Sequence, residues 1–245
     1  MSLKIFLHGV PDTPAMWTPL IRELDLSNDE YLAPALPGFV GPPPAGFTST
    51  KEQYVDWFII ELEQAVTQSG PVDVVGHDWG ALIVVRAASL RPELFKSWTI
   101  ANAAPHPDYK WHRMARLWQM PIVGELVMLA ARRKGMQRAL TEAGFPPDLA
   151  AIEAKHWSSE MKRAILRLYR SARNAGSDWY PDLKFLPSRG LVFWGEEDPY
   201  VPLWVAEKFS KQTGARLLTQ PDVGHWSIIE RAERLANLLK EHWLL

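Results

Sequence analysis

The sequence predicts an α/β protein: a mostly parallel sheet flanked by helices and interrupted by a helical insertion. Three observations predict it. Short β-rich runs alternate with helical ones, the pattern of parallel strands joined by right-handed crossovers. Several of these strands run into glycine-bearing turns that carry polar or charged residues, which places any chemistry at the carboxyl ends of the strands. Residues 103–186, by contrast, keep helical periodicity but contain no convincing strand.

Lys4–Leu7 reads as a buried strand, and Trp17–Leu24, apolar at 17, 20, 21 and 24, as a short helix. Tyr31–Ala33 is a second strand, before the Pro/Gly-rich loop PALPGFVGPPPAG. Ser49-x-x-Glu52 has the form of a capping box, opening a helix whose apolar stripe is Val55, Phe58, Ile59, Leu62 and Val66. Val72–Val75 is a strand, Gly80–Leu90 a helix and Ser97–Ala101 a strand. After the insertion come a strand at Leu191–Trp194, a helix at Leu203–Lys211, a strand at Ala215–Leu218 and a helix at Ile228–Leu239. The expected organisation is a core of residues 1–102 and 187–245 carrying a helical cap of residues 103–186. The cap holds Trp111, Trp118, Trp157 and Trp179, at least two of them assigned to its core, and is expected to lie over the sheet edge as a lid.

The chain has 245 residues, 47% hydrophobic and 22% charged, with a formal net charge of −1. That balance argues against a nucleic-acid or anionic-membrane protein, and the run Arg132-Arg133-Lys134 reads as a solvated helix face. The absence of cysteine excludes a thiol nucleophile and any Cys-ligated metal. The seven histidines show no His-Glu-x-x-His spacing, so neither metal nor cofactor is expected. No apolar stretch reaches the ~18 residues of a membrane span, and Ile5-Phe6-Leu7 is too short for a signal sequence. The expectation is a soluble, cytoplasmic protein acting on a small apolar molecule, its oligomeric state open.

The motifs sharpen this. His8-Gly9-Val10-Pro11, Gly76-His77-Asp78-Trp79-Gly80 and Gly195-Glu196-Glu197-Asp198-Pro199 each follow a strand, and Gly224-His225-Trp226 comes late. Gly-x-Asp-x-Gly has the shape of a nucleophile elbow, whose small flanking residues permit a strained strand-to-helix turn. Together, in this order and over nearly the whole chain, these motifs resemble the α/β-hydrolase fold. More narrowly they resemble its aspartate-nucleophile branch, the epoxide hydrolases and haloalkane dehalogenases.

The resemblance implies roles. Asp78 attacks an electrophilic carbon and forms an alkyl ester. His225 then activates water, with Asp198 orienting the imidazole. The backbone N–H groups of Val10 and Trp79 would form the oxyanion hole. Glu196 and Glu197 compete with Asp198 as the acid, and family spacing favours Asp198. The family's other acid position falls near Asn102, which cannot ionise. His77 and His8 read as packing or bracing residues. An N-cap reading of Asp78 and a surface reading of His225 weaken once all four motifs are taken together.

The insertion bears on the leaving group. Epoxide opening in the family uses a pair of lid tyrosines, and LRLYRSA (166–172) resembles the segment carrying the second, Tyr169. No tyrosine lies between Tyr109 and Tyr169, so His112, Tyr109 or Tyr180 would supply the first donor. A halide site would recruit Trp79 and a second tryptophan, Trp118. His-Gly-Val-Pro lacks the asparagine many haloalkane dehalogenases carry there, and with Tyr169 this favours epoxide hydrolysis over dehalogenation. A non-catalytic ligand receptor on the same fold is the third reading, disfavoured by the intact Asp78/His225/Asp198 set. His8 nearly starts the sequence, which implies a sheet without the family's N-terminal hairpin.

Overall fold

The computed structural model describes residues 2–244. Six strands form one wholly parallel sheet in the order β2-β1-β3-β4-β5-β6. They are β1 (Lys4–Leu7), β2 (Tyr31–Leu32), β3 (Val72–His77), β4 (Phe95–Ala101), β5 (Gly190–Gly195) and β6 (Arg216–Gln220). Three helices alternate with the first four strands: α1 (Thr18–Leu24), α2 (Lys51–Ser69) and α3 (Trp79–Leu90). Between β4 and β5 the chain is helical: α4 (Arg113–Gln119), α5 (Val123–Ala130), α6 (Arg133–Glu142), α7 (Pro147–Lys155), α8 (Ser159–Ser171) and α9 (Ala175–Trp179). The last helices are α10 (Leu203–Thr213), α11 (Ser227–Glu230) and α12 (Ala232–Leu244). Among the described residues no helix is long and apolar enough to cross a membrane.

Both faces of a parallel sheet must be covered, and strand alternation divides the residues between two cores. Ile5, Leu7, Val74, Ile100 and Trp194 pack toward α2, α3 and α10. Phe6, Val75, Ala101 and Phe193 face the opposite core, with Leu20 of α1 and Leu235 and Leu239 of α12. The strand order reverses between β1 and β3, so the crevice at their carboxyl ends is the topological switch point where such sheets bind ligands.

Two local expectations are corrected. The cap of α2 is Thr50, not Ser49: the Thr50 side chain accepts from the Gln53 N–H (3.3 Å). Ser49 has φ +59°, whereas an N-cap needs the extended backbone that Thr50 adopts (φ −81°, ψ 158°). Gln53, not Glu52, closes the turn, its Oε1 accepting from Thr48 Oγ1 (2.8 Å). The expected helix at Ile228–Leu239 is two helices broken at Arg231 (φ −126°, ψ 38°), which lets α11 cover the sheet end while α12 packs on α1. Replacing the cap, Thr50→Ala, is expected to cost about 1 kcal/mol of unfolding free energy, measured by urea denaturation.

Candidate active site

Asp78 joins β3 to α3 with φ 50° and ψ −121°, a conformation an aspartate rarely adopts. Glycine makes the turn possible. A Cβ on Gly76 would lie 2.7 Å from the Gly80 carbonyl oxygen, and one on Gly80 only 2.0 Å from that of Leu7. The Asp78 N–H donates to the Ala101 carbonyl (3.1 Å) and its own carbonyl accepts from Leu82 (3.2 Å), tying the strained residue to sheet and helix.

The Val10 N–H donates to Asp78 Oδ1 at 2.7 Å. Trp79 opens α3, so its backbone N–H lies in the first turn, where the helix itself offers no acceptor. His8 holds the Gly9–Val10 loop. Its Nε2 accepts from the Leu36 N–H (2.9 Å), so Nδ1 carries the proton and donates to the Gly9 carbonyl (2.9 Å). Burial pushes the His8 pKa down to about 4, keeping the ring neutral.

His225 Nε2 stands 3.5 Å from Asp78 Oδ2, and its Nδ1 donates to Asp198 Oδ2 at 2.7 Å. Asp198 Oδ1 accepts from the Tyr200 and Val201 N–H groups (2.7 and 2.9 Å). Glu196 and Glu197 are exposed. Asn102, at the end of β4, donates from Nδ2 to Asp198 Oδ2 (2.9 Å) and accepts at Oδ1 from Ser227 Oγ (2.6 Å). Sequence reasoning weighed Asn102 only as an acid and missed this bracing. His77 Nε2 donates to the His225 carbonyl (2.9 Å), and Trp226 Nε1 donates to the buried Asp12 carboxyl (3.1 Å). Two consecutive residues, His225 and Trp226, are thus held from beneath. No sequence signal marked Asp12.

Electrostatics follow from this geometry. Burial alone would lower the His225 pKa, but the Asp198 carboxylate and then Asp78 overcome it, raising the imidazole from 6.5 to about 10. Burial opposes ionisation of Asp78, yet its contact with His225 and the Val10 N–H hold the carboxyl below its usual range. At neutral pH the resting arrangement is carboxylate–imidazolium–carboxylate.

Above Asp78 lies a cavity of about 320 Å³ whose lining is mostly apolar and includes Trp79, Trp111, Trp118 and Tyr169. Tyr169 points in from α8, edge-on to Trp79 (5.4 Å), Trp111 (5.3 Å) and Trp118 (4.9 Å). Burial, and then the Asp78 charge, push its phenol pKa up, so the hydroxyl stays protonated. Trp79 Nε1 approaches that hydroxyl but meets no acceptor at hydrogen-bond geometry. His112 caps α4: Nδ1 accepts from the Ala115 N–H (3.3 Å), and burial pushes its pKa down to about 4. Its ring is therefore neutral, with the proton on Nε2. Tyr109 donates its hydroxyl to the Tyr200 carbonyl (3.0 Å), and Tyr180 rests against His106 (5.2 Å) outside the cavity lining. Tyr200, which the sequence did not single out, packs edge-on to both His225 and His112 at 5.0 Å.

The cavity tryptophans divide by their N–H groups. Trp111, Trp157 and Trp226 donate to the Arg173 carbonyl, the Ala131 carbonyl and Asp12. Trp79 and Trp118 have no acceptor. Among the described residues no group of three or more His, Asp or Glu side chains could hold a metal ion.

A raised imidazole pKa links the site to stability. The His225 contribution is fully present below the unfolded value of about 6.5 and is lost as pH rises toward the folded value of about 10. Urea denaturation across that interval should show a decline in stability for the wild type that His225→Gln lacks.

The chain matches the model of the Alpha/beta hydrolase family over residues 5–238. AB hydrolase superfamily protein YfhM of Bacillus subtilis is 23% identical over 98% of this chain and 89% of its own length. Epoxide hydrolase 4 of Mus musculus is 24% identical over 91% of this chain and 68% of its own. The haloalkane dehalogenase DbeA from Bradyrhizobium elkani superimposes with a TM-score of 0.79 at 18% identity, over 99% of this chain and 91% of that one, a likeness of fold. With a family match that runs from β1 into the last helix, the chain belongs to the alpha/beta hydrolase family.

Proposed function

We propose that this hydrolase opens epoxides through an alkyl ester on Asp78, which water activated by His225 and Asp198 hydrolyses to a diol. The observation that carries this reading is the Asp78 carboxylate itself: Oδ1 under the Val10 N–H, Oδ2 beside His225, both beneath the protonated Tyr169. Oδ2 attacks the ring carbon, the carbon–oxygen bond breaks, and the departing oxygen takes a proton from Tyr169, with His112 Nε2–H as the neighbouring donor. Esterification removes the Asp78 charge, so the imidazolium loses one of its two counter-ions and its pKa falls. The imidazolium gives up its Nε2 proton, relayed through solvent to the Tyr169 phenolate, which restores the phenol; neutral His225 Nε2 then takes a proton from water, whose oxygen attacks the ester carbonyl carbon. The negative charge that develops on Oδ1 faces the Val10 and Trp79 N–H groups. Collapse expels the alkoxide, which takes up the proton of the newly formed carboxyl group, releasing the diol and restoring the Asp78 carboxylate beside the imidazolium. The substrate would be a small, largely apolar molecule, no cofactor is needed, and a cytoplasmic setting and a lid role for the insertion belong to the same reading.

A second reading, haloalkane dehalogenase, is favoured by one observation: the indole N–H groups of Trp79 and Trp118 lack acceptors. Buried unpaired donors cost free energy, and a departing halide would satisfy them.

His225→Gln should still be alkylated and then stall, giving a stoichiometric adduct on the Asp78 peptide by intact and tryptic mass analysis. Steady turnover, or an adduct elsewhere, would sink the two-step route. The leaving group is decided by a crossed design. Tyr169→Phe should slow epoxide alkylation by ~10²–10⁴-fold, less if His112 compensates, and hardly alter bromoalkane turnover. Trp79→Phe should slow halide release. Intact epoxide alkylation in Tyr169→Phe, with dehalogenation abolished in Trp79→Phe, would replace the first reading by the second.

A further inference from the structure

The charges of this chain are divided unevenly. Residues 103–186 carry fourteen Lys and Arg against eight Asp and Glu, an excess of six positive charges, while the remaining residues carry thirteen against twenty. A nearly neutral protein thus presents a cationic insertion over an anionic core.

Part of that excess collects at one place. A groove of about 450 Å³ is lined by Lys110, Arg113 and Arg116, with Asp108 its sole acidic residue. Asp108 already faces Lys208 at 3.5 Å. Among the described residues none of the three cations forms an ion pair or a side-chain hydrogen bond, whereas Arg138, Arg163 and Arg170 elsewhere in the insertion pair with Glu142, Glu160 and Glu125. Helix energetics explain only part of the placement: Arg113 opens α4, where no acid is present and the helix macrodipole disfavours a cation, whereas Arg116 lies in its last turn, where the dipole favours one.

The groove adjoins the reacting site. Tyr109, Trp111, His112 and Tyr200 line both it and the cavity above Asp78. A molecule reacting at Asp78 and passing these four rings would emerge among the unpaired cations.

Building on the reading of that cavity as the reacting site, we propose that the substrate is an amphiphilic anion: a reactive apolar end at Asp78 and a carboxylate held by Lys110, Arg113 and Arg116. Guanidinium groups suit this head group because they bind carboxylates through paired N–H donors. The contact is remote from the reacting carbon and unchanged through the reaction, so it lowers KM and leaves kcat alone.

The test compares an aryl epoxide bearing a carboxylate on a short alkyl tether with its methyl ester. The wild type should prefer the acid by roughly tenfold in KM, and molar salt, which shortens the screening length to about 3 Å, should erode the preference. Arg113→Glu/Arg116→Glu should abolish or invert the ratio, and Arg113→Lys/Arg116→Lys should largely keep it. Binding is read independently of turnover, from quenching of tryptophan fluorescence by the inert phenylbutanoate and by phenylbutanamide. Tighter binding of the anion, lost on charge reversal, supports the site even if neither epoxide is turned over, in which case the proposed reaction fails alone. Equal handling of acid and ester by the wild type, or a preference that survives charge reversal, overturns the proposal. So does a charge reversal that abolishes co-sedimentation with anionic phospholipid vesicles and leaves the acid-to-ester ratio intact, because the cations then serve a lipid surface.

Discussion

The close approach of the first turn of α3 to the end of β1 constrains the rest of the site. With no side chain on Gly80, the helix can seat against the Leu7 carbonyl, where a Cβ would sit 2.0 Å away. That contact lifts Asp78 into a conformation with φ 50° and brings it under the Gly9–Val10 loop. Gly9 is subject to the same constraint, since its Cβ would lie 2.5 Å from Asp78 Oδ1. The strain stays because it is over-determined: the Asp78 backbone is held by β4 and α3, and its carboxylate by Val10. Sheet packing, rather than local preference, sets where this carboxylate points.

Electrostatics then impose a second condition. A buried carboxylate, Asp198, and a partly exposed one, Asp78, flank one imidazole, an arrangement favoured while the imidazole is charged and each remaining lone pair has a donor. Asp198 meets it through the Tyr200 and Val201 N–H groups and Asn102, Asp78 through Val10. His77 is kept neutral by burial and donates to the His225 carbonyl, so it positions the loop without adding a competing cation.

Much of this was legible in the sequence because it rests on local rules. The glycine spacing around Asp78 marked the elbow, and the inner strands β1, β3 and β5 were marked by their apolar runs. What the sequence hid depends on residues distant along the chain. Ser49 and Thr50 are equally good caps on paper, and only the backbone at 49, turned to φ +59°, decides between them. Asn102, Asp12 and Tyr200 carry no motif, and each acquires its place through partners such as Asp198, Trp226 and His225. Tyr180 was a reasonable stand-in for the absent lid tyrosine by sequence position, but the chain turns it onto His106.

The aromatic roof carries two demands at once. Trp79, Trp111 and Trp118 surround Tyr169, and edge-to-face contacts of this kind stabilise by about 0.5–1.5 kcal/mol each beyond area burial. Packing alone would be served as well by phenylalanine at these positions. Phenylalanine has no N–H, however, and the indole donors of Trp79 and Trp118 meet no acceptor in the cavity that Asp78 also lines. A buried donor without a partner is a standing cost that folding gains nothing from. In the proposed reaction an oxygen or halide that acquires negative charge would claim those donors, so such a roof would suit the transition state of that reaction.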